Sequence, residues 1–262
     1  MSRSIGPFER YVAIGDSTTE GLDDPDGGGH YRGWADRLAA RLHTAQGRVA
    51  YANLAIRGRD TRQIRDEQLG PALAMRPDLV TLVTATNDIL RARFDVDTVV
   101  SDMEAMQRAL RAQGATVLTF TLPDLTPVMP VARLVRARIL AWNEALRRVS
   151  ALTGTHLADL AAHPVTSDPR LWSEDRLHAN TVGHARIAAA LAHALQLPGS
   201  DMAWATPLPA AVPSGRLSGL QREVRWGRAY LWPWLVRHAT GRSSGEGRLP
   251  KRPALLPFEP KP

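Results

Sequence analysis

Residues 11–21 read Tyr-Val-Ala-Ile-Gly-Asp-Ser-Thr-Thr-Glu-Gly. A short apolar run ends abruptly in glycine, and small polar residues follow up to a second glycine. That is the signature of a buried strand passing into a turn. Runs of the same kind recur at 48–54, 79–85, 116–121 and, more weakly, 156–159. Amphipathic segments lie between them at 33–44, 61–75, 98–113 and 131–152, and another follows at 181–195, ahead of Pro198. Asp97 stands where it would N-cap the third of these helices, and Gly114 where it would end it. Strands alternating with helices predict a parallel sheet covered on both faces, joined by right-handed crossovers. The expected fold is therefore α/β, a flavodoxin-like three-layer α/β/α sandwich with a five-stranded parallel sheet. Ligands of such sheets bind outside the carboxyl ends of the strands, so functional residues should stand just after them.

The 262 residues allow one domain of about 200 residues and an appendage. A hydrophobic fraction of 44% and a charged fraction of 23% exclude disorder, collagen and coiled coil as descriptions of the whole chain. With no cysteine, thiolate catalysis, disulfides and cysteine-ligated zinc are excluded together. The opening residues MSRSIGPFER lack the apolar core of a secretory signal, and no apolar run approaches the ~20 residues of a membrane span. The expected compartment is the cytoplasm.

Of the net charge of +7, little sits in residues 1–200, where 23 Arg face 22 Asp or Glu; in residues 201–262 ten basic residues face four acidic ones. Composition also changes after Leu197, which divides the chain into a catalytic domain at 1–197 and a basic Trp/Pro-rich C-terminal extension at 198–262. Within the extension a helical pattern runs over 217–239. Leu217, Leu220, Val224, Leu231 and Leu235 share a face, Arg222, Arg225 and Arg228 lie off it, and Pro233 would kink it. Residues 241–262 read as an extended or disordered terminus. The expected role of the helix is docking on the domain. The rival is a binding module in which Trp226, Trp232 and Trp234 meet anionic lipid or nucleic acid; a membrane surface stays open as a partner, and nucleic acid is disfavoured.

The candidate chemistry follows the strands. Ser17 stands directly after the first, in GDSTTEG, although Gly-Asp-Ser is also an ordinary capped turn. Gly58 follows the second, in AIRGRDT, and Asn87 the third, in ATNDIL, where a plain turn and a helix cap are the alternatives. Late in the chain comes Asp175-Arg176-Leu177-His178-Ala179-Asn180. A carboxylate three residues before a histidine can accept the imidazole Nδ1 proton and leave Nε2 as a base; a surface ion pair is the alternative. Serine, backbone amide, side-chain amide and an Asp/His pair together make the parts list for acyl transfer.

In these blocks the chain resembles the SGNH hydrolases, also called GDSL lipases or esterases, over residues 9–195. The resemblance implies Ser17 as nucleophile, His178 as base and Asp175 as its orienting acid. It also implies an oxyanion hole from the backbone N–H groups of Ser17 and Gly58 and the amide of Asn87. One departure is Ala85, where the family's third block carries glycine; an added methyl would narrow the site. The implied activity is hydrolysis of a carboxylic ester with a short acyl or acetyl group, the substrate being a small-molecule, carbohydrate or lipid ester. Transfer of the acyl group to another alcohol is the alternative on the same residues. Trp34 is a candidate for lining an acyl pocket or a sugar platform.

No cofactor and no metal are expected. The acidic loop at 23–26 lacks the first and twelfth ligands of an EF-hand, where Leu22 and Gly33 stand. Its glycines make either a substrate gate or a solvated loop. Walker and Rossmann glycine motifs are absent. His30, His43, His156, His163, His184, His193 and His238 have no ligand partners at useful spacing and receive no role.

Overall fold

The opening run forms β1 (Arg10–Gly15), followed by α1 (Ser17–Glu20) and α2 (Gly33–Gln46). This computed structural model describes residues 7–210, 225–231 and 244–260. Next come β2 (Ala50–Asn53), α3 (Thr61–Ile64), α4 (Gly70–Ala74), β3 (Leu79–Val83), α5 (Thr86–Leu90), α6 (Val96–Ala112), β4 (Thr116–Phe120), α7 (Arg136–Thr153), β5 (His156–Ala158), α8 (Thr181–Ala194) and β6 (Arg252–Pro257). The sheet order is β5-β4-β3-β1-β2-β6. The five expected strands are mutually parallel, and β6 is an addition, antiparallel to β2. Because β1 pairs with both β2 and β3, the chain leaves it first to one side and then to the other. The carboxyl ends of β1 and β3 are therefore the switch point at which sheets of this kind bind ligands.

The two faces of β1 show why its run is apolar throughout. Tyr11 and Ala13 join Trp34, Leu38 and Leu42 of α2 and Ala188 and Leu191 of α8 in one buried cluster. Val12 and Ile14 join Ile64, Met103, Met106 and Trp142 in the other, under α3, α6 and α7. With a side-chain period of two, both sets are hidden by helices, so no position is left for a polar residue.

Several local features differ from the sequence expectation. Asp95, not Asp97, caps α6, accepting the Asp97 N–H, and the helix starts two residues before the expected segment. The helical stretch from Thr61 carries a π turn, Arg65–Leu69, just ahead of Pro71, which has no N–H to continue the ladder. That turn presents buried Gln68, whose amide accepts from the Gly15 N–H at 2.8 Å and donates to the Gly15 carbonyl at 2.9 Å. Residues 130–134 form a 3₁₀ turn before α7. Residues 252–257, within the stretch read as an extended or disordered terminus, are the edge strand β6. Beside it Lys251 pairs with Asp36 at 2.8 Å and donates to the carbonyls of Tyr31 and Arg32. Of the helix expected over 217–239, Leu217, Leu220, Arg222, Val224, Trp232, Pro233, Trp234 and Leu235 lie outside the described residues. Among the described residues no helix is long and apolar enough to cross a membrane.

Candidate active site

Ser17 is the first residue of α1, at the carboxyl end of the central strand. Asp16 caps the turn through its side chain, accepting the Thr18 N–H at 3.0 Å. The close turn requires glycine at 15, because a Cβ there would lie 2.6 Å from the Val83 carbonyl and 2.3 Å from Thr19 Oγ1. Burial pushes the Asp16 carboxyl up to about 6, against the Thr18 hydrogen bond and the nearby His178.

Asp175 and His178 lie on a tight loop before α8, and Arg176 between them adopts φ +63°. This turn lets Asp175 Oδ1 accept the backbone N–H groups of Leu177 and His178, both at 2.9 Å. Oδ2 lies 2.5 Å from His178 Nδ1, and His178 Nε2 lies 2.9 Å from Ser17 Oγ. Ser17, His178 and Asp175, the three residues that the resemblance implies for acyl transfer, are thus in one hydrogen-bonded line. Burial alone would lower the imidazole pKa, but the Asp175 carboxylate, hydrogen-bonded and charged, raises it above the ordinary 6.5. The same pairing outweighs burial at Asp175 and holds its carboxyl below the usual range. A base must be neutral to work, so the acid limb of kcat/KM should have its midpoint above pH 6.5. A pH–rate profile with its midpoint at or below 6.5 would contradict this.

The other two predicted residues face the same edge. Gly58, at φ +76°, follows Arg57, whose backbone N–H and guanidinium both bind Glu20 of α1. Among the described residues no acceptor takes the N–H of Ser17 or of Gly58. The Asn87 amide donates to the Arg59 carbonyl at 2.9 Å and, less closely, to Asp16 Oδ2 at 3.2 Å. Its neighbour Asp88 accepts from both the N–H and the hydroxyl of Thr61, tying α5 to α3. Ala85 sits at φ +81°, the region glycine prefers, and is buried in the core cluster with Ile89.

Trp34 does not line the site, and that expectation is corrected. Its side chain is fully buried, edge-on to Phe120 at 5.5 Å, because it lies on the face of α2 that packs against the sheet. Its backbone N–H meets His184, to which the sequence assigned no role. His184 is buried, accepts the Trp34 N–H at Nδ1 and donates from Nε2 to the Leu22 carbonyl at 2.9 Å, joining the 22–33 loop to α8. Burial pushes its pKa down to about 4, so it is neutral at physiological pH.

The acidic loop is anchored rather than free along its length. Gly21 and Gly33 meet back to back, a Cβ on Gly33 falling 2.3 Å from Gly21 Cα, and Asp24 is buried against Arg37 in a two-point ion pair. Burial alone would raise the Asp24 pKa, yet Arg37 holds it below the ordinary value. Arg37→Met strands this carboxylate, and the expected loss of stability is about 3 kcal/mol at pH 7. The sign with pH follows. Wild-type Asp24, with its depressed pKa, contributes stability above about pH 3.8 that is lost at lower pH, whereas a buried Asp24 without its counter-charge, held only by hydrogen bonds such as that from the Gly33 N–H, destabilises the variant as pH rises. The gap between the two should therefore shrink from pH 7 to pH 4 in denaturant melts.

Sequence reasoning passed over two neighbours of the line. The Ser173 hydroxyl sits 2.6 Å from an oxygen of Asp175 and 2.6 Å from one of Asp23, with a single hydrogen to give. Asp23 Oδ2 lies 4.0 Å from His178 Nδ1. Both are ordinary turn residues in sequence, and only the fold brings them here. Among the described residues, Asp23, Asp175 and His178 are the grouping that could offer three ligand atoms to a cation, and its Nδ1 is already taken by Asp175.

The model of the GDSL-like Lipase/Acylhydrolase family matches residues 13–186. Among curated protein sequences none matches the chain. Among solved structures, an alpha/beta hydrolase enzyme from the metagenome of Lake Arreo is 22% identical with a TM-score of 0.61, over 72% of this chain and 95% of that one. A lipase/acylhydrolase from Enterococcus faecalis is 23% identical with a TM-score of 0.60, over 77% and 100%. An acetylxylan esterase from Geobacillus stearothermophilus is 17% identical with a TM-score of 0.60, over 73% and 96%. At these identities the structural likeness speaks for the fold.

Proposed function

Because the chain belongs to the GDSL-like lipase/acylhydrolase family and is an ester-hydrolysing enzyme, we propose that it works through an acyl-enzyme formed on Ser17. The observation that carries this is the line Asp175–His178–Ser17, with contacts of 2.5 and 2.9 Å. His178 Nε2 takes the Ser17 proton as Oγ attacks the ester carbonyl, and the carbonyl electrons move onto oxygen. Collapse of this intermediate expels the alcohol oxygen, which takes the proton from Nε2. Water then repeats the sequence, releasing the acid and restoring Ser17. Asp175 fixes the imidazole with its proton on Nδ1 and stabilises the imidazolium.

The oxyanion is received by the N–H groups of Ser17 and Gly58 and by Asn87. The bond from Asn87 to the Arg59 carbonyl orients its amide, and the longer one, to Asp16, is the donor that a substrate oxygen can share. Losing one such donor costs on the order of 100- to 1,000-fold in kcat. Asn87→Ala should fall in that range with KM little changed, measured on a short p-nitrophenyl ester; a loss under tenfold would remove Asn87 from the hole. The acyl-enzyme is tested directly by a burst of p-nitrophenol and by mass spectrometry after a fluorophosphonate. The adduct is expected on the peptide carrying Ser17 and nowhere else.

A further inference from the structure

A cavity is lined in part by chain neighbours of three site residues: Thr18 follows Ser17, Thr86 precedes Asn87, and Leu177 and Ala179 flank His178. Its walls are then apolar, with Ile89, Phe120, Ile139, Leu160, Ile187 and Trp204 among them. Among the described residues its one charged lining residue is Arg186, whose guanidinium donates to the carbonyls of Trp204 and Thr206. The Thr166 hydroxyl is likewise spent on the carbonyls of Leu160 and His163. An acetyl group is too short to cover apolar walls drawn from this many residues, and a sugar would meet few free hydrogen-bonding partners among them. We propose that the cavity receives an unbranched aliphatic acyl chain, making the enzyme selective for medium-chain acyl esters over acetyl esters.

The proposal rests on the esterase reading and narrows its acyl group. It is tested with p-nitrophenyl acetate, butyrate, octanoate and dodecanoate. The expected result is a rise in kcat/KM from acetate to octanoate, at most about fourfold per methylene entering the cavity. Octanoate should inhibit the wild type where acetate at equal concentration does not. Ile139→Trp, which fills the cavity, should lower the octanoyl-to-acetyl ratio of kcat/KM by about tenfold or more. Steadily falling rates from acetate onward, without inhibition by octanoate, overturn the acyl pocket and leave the esterase standing. Hydrolysis of no ester above the Ser17→Ala background overturns the esterase reading itself. Wild-type kinetics decide the matter even if Ile139→Trp does not fold.

A separate set of contacts assigns a role to part of the extension. Residues 225–231 form a short helical turn against the 174–176 segment. The Trp226 indole N–H donates to the Asp175 carbonyl at 3.2 Å, and its ring carries the Arg176 guanidinium at 4.6 Å. The Tyr230 hydroxyl donates to Glu174 at 3.0 Å. Trp226 thus holds both sides of the peptide that lets Asp175 reach His178, and it stacks on the residue that adopts left-handed backbone there. We infer that Trp226 is a positioning residue for the acid–base loop. Trp226→Phe keeps the stack and loses the hydrogen bond, so kcat should fall about tenfold. Trp226→Ala should lose more, with KM nearly unchanged and the acid limb moved down towards pH 6.5 as the Asp175–His178 contact loosens. A wild-type kcat and pH profile in both variants overturns the inference; a fall in kcat that Phe partly rescues supports it.

Discussion

Ser17→Ala is expected to lower kcat by about a million-fold, the scale on which serine nucleophiles act in triads. In this chain His178 Nε2 is aimed at one hydroxyl, 2.9 Å away. Thr19, two residues on, is fully buried, and there is no cysteine to substitute. What remains in the variant is attack by water, helped by the oxyanion donors, which leaves about 1,000- to 10,000-fold over the uncatalysed rate. Among the described residues the Ser17 side chain has one hydrogen bond, to His178, so the thermal midpoint should hardly move. Steady-state hydrolysis of a p-nitrophenyl ester, with calorimetry beside it, separates the two outcomes. A variant that keeps more than about 1% of wild-type kcat excludes Ser17 as nucleophile.

The legibility of the site followed from where its residues stand. Ser17, Gly58 and Asn87 each come directly after an apolar run, so strand recognition alone placed them on one edge of the sheet. Asp175 and His178 are three residues apart, and their contact is local. Trp34 was not legible in this way. An aromatic side chain at the start of an amphipathic helix can face either a pocket or a sheet, and only packing against Phe120 and the α8 layer decides. The strand β6 was hidden for another reason. It contains Pro253 and Pro257, which read as a terminus, but an edge strand has a free side where a missing N–H costs nothing. Its pairing with β2 is non-local, some two hundred residues back along the chain, and leaves no trace in either segment by itself.

Asp175→Asn should lower kcat by about 10,000-fold, and the geometry says why an isosteric change does so much. Asp175 Oδ1 already accepts two backbone N–H groups, from Leu177 and His178. An asparagine must place its carbonyl oxygen there, because its NH₂ would meet two donors head on. The NH₂ then faces His178 Nδ1, where Oδ2 now lies at 2.5 Å. A donor at that position forces Nδ1 to accept, which puts the imidazole proton on Nε2, the atom that has to take the proton of Ser17. The base is then blocked by its tautomer while the loop keeps its shape. Removing the carboxylate also removes what raises the His178 pKa, so the residual activity should show an acid limb displaced downward from that of the wild type. Stability carries a second signature. The Asp175 pKa is depressed in the folded chain, so its contribution is fully present above about pH 3.8 and is lost as pH falls through the folded value. The wild type should therefore exceed Asp175→Asn in denaturant midpoint at pH 7, with the difference closing in acid. An Asn variant that retains a tenth of wild-type kcat, with an unshifted acid limb, would leave Asp175 a loop residue and nothing more.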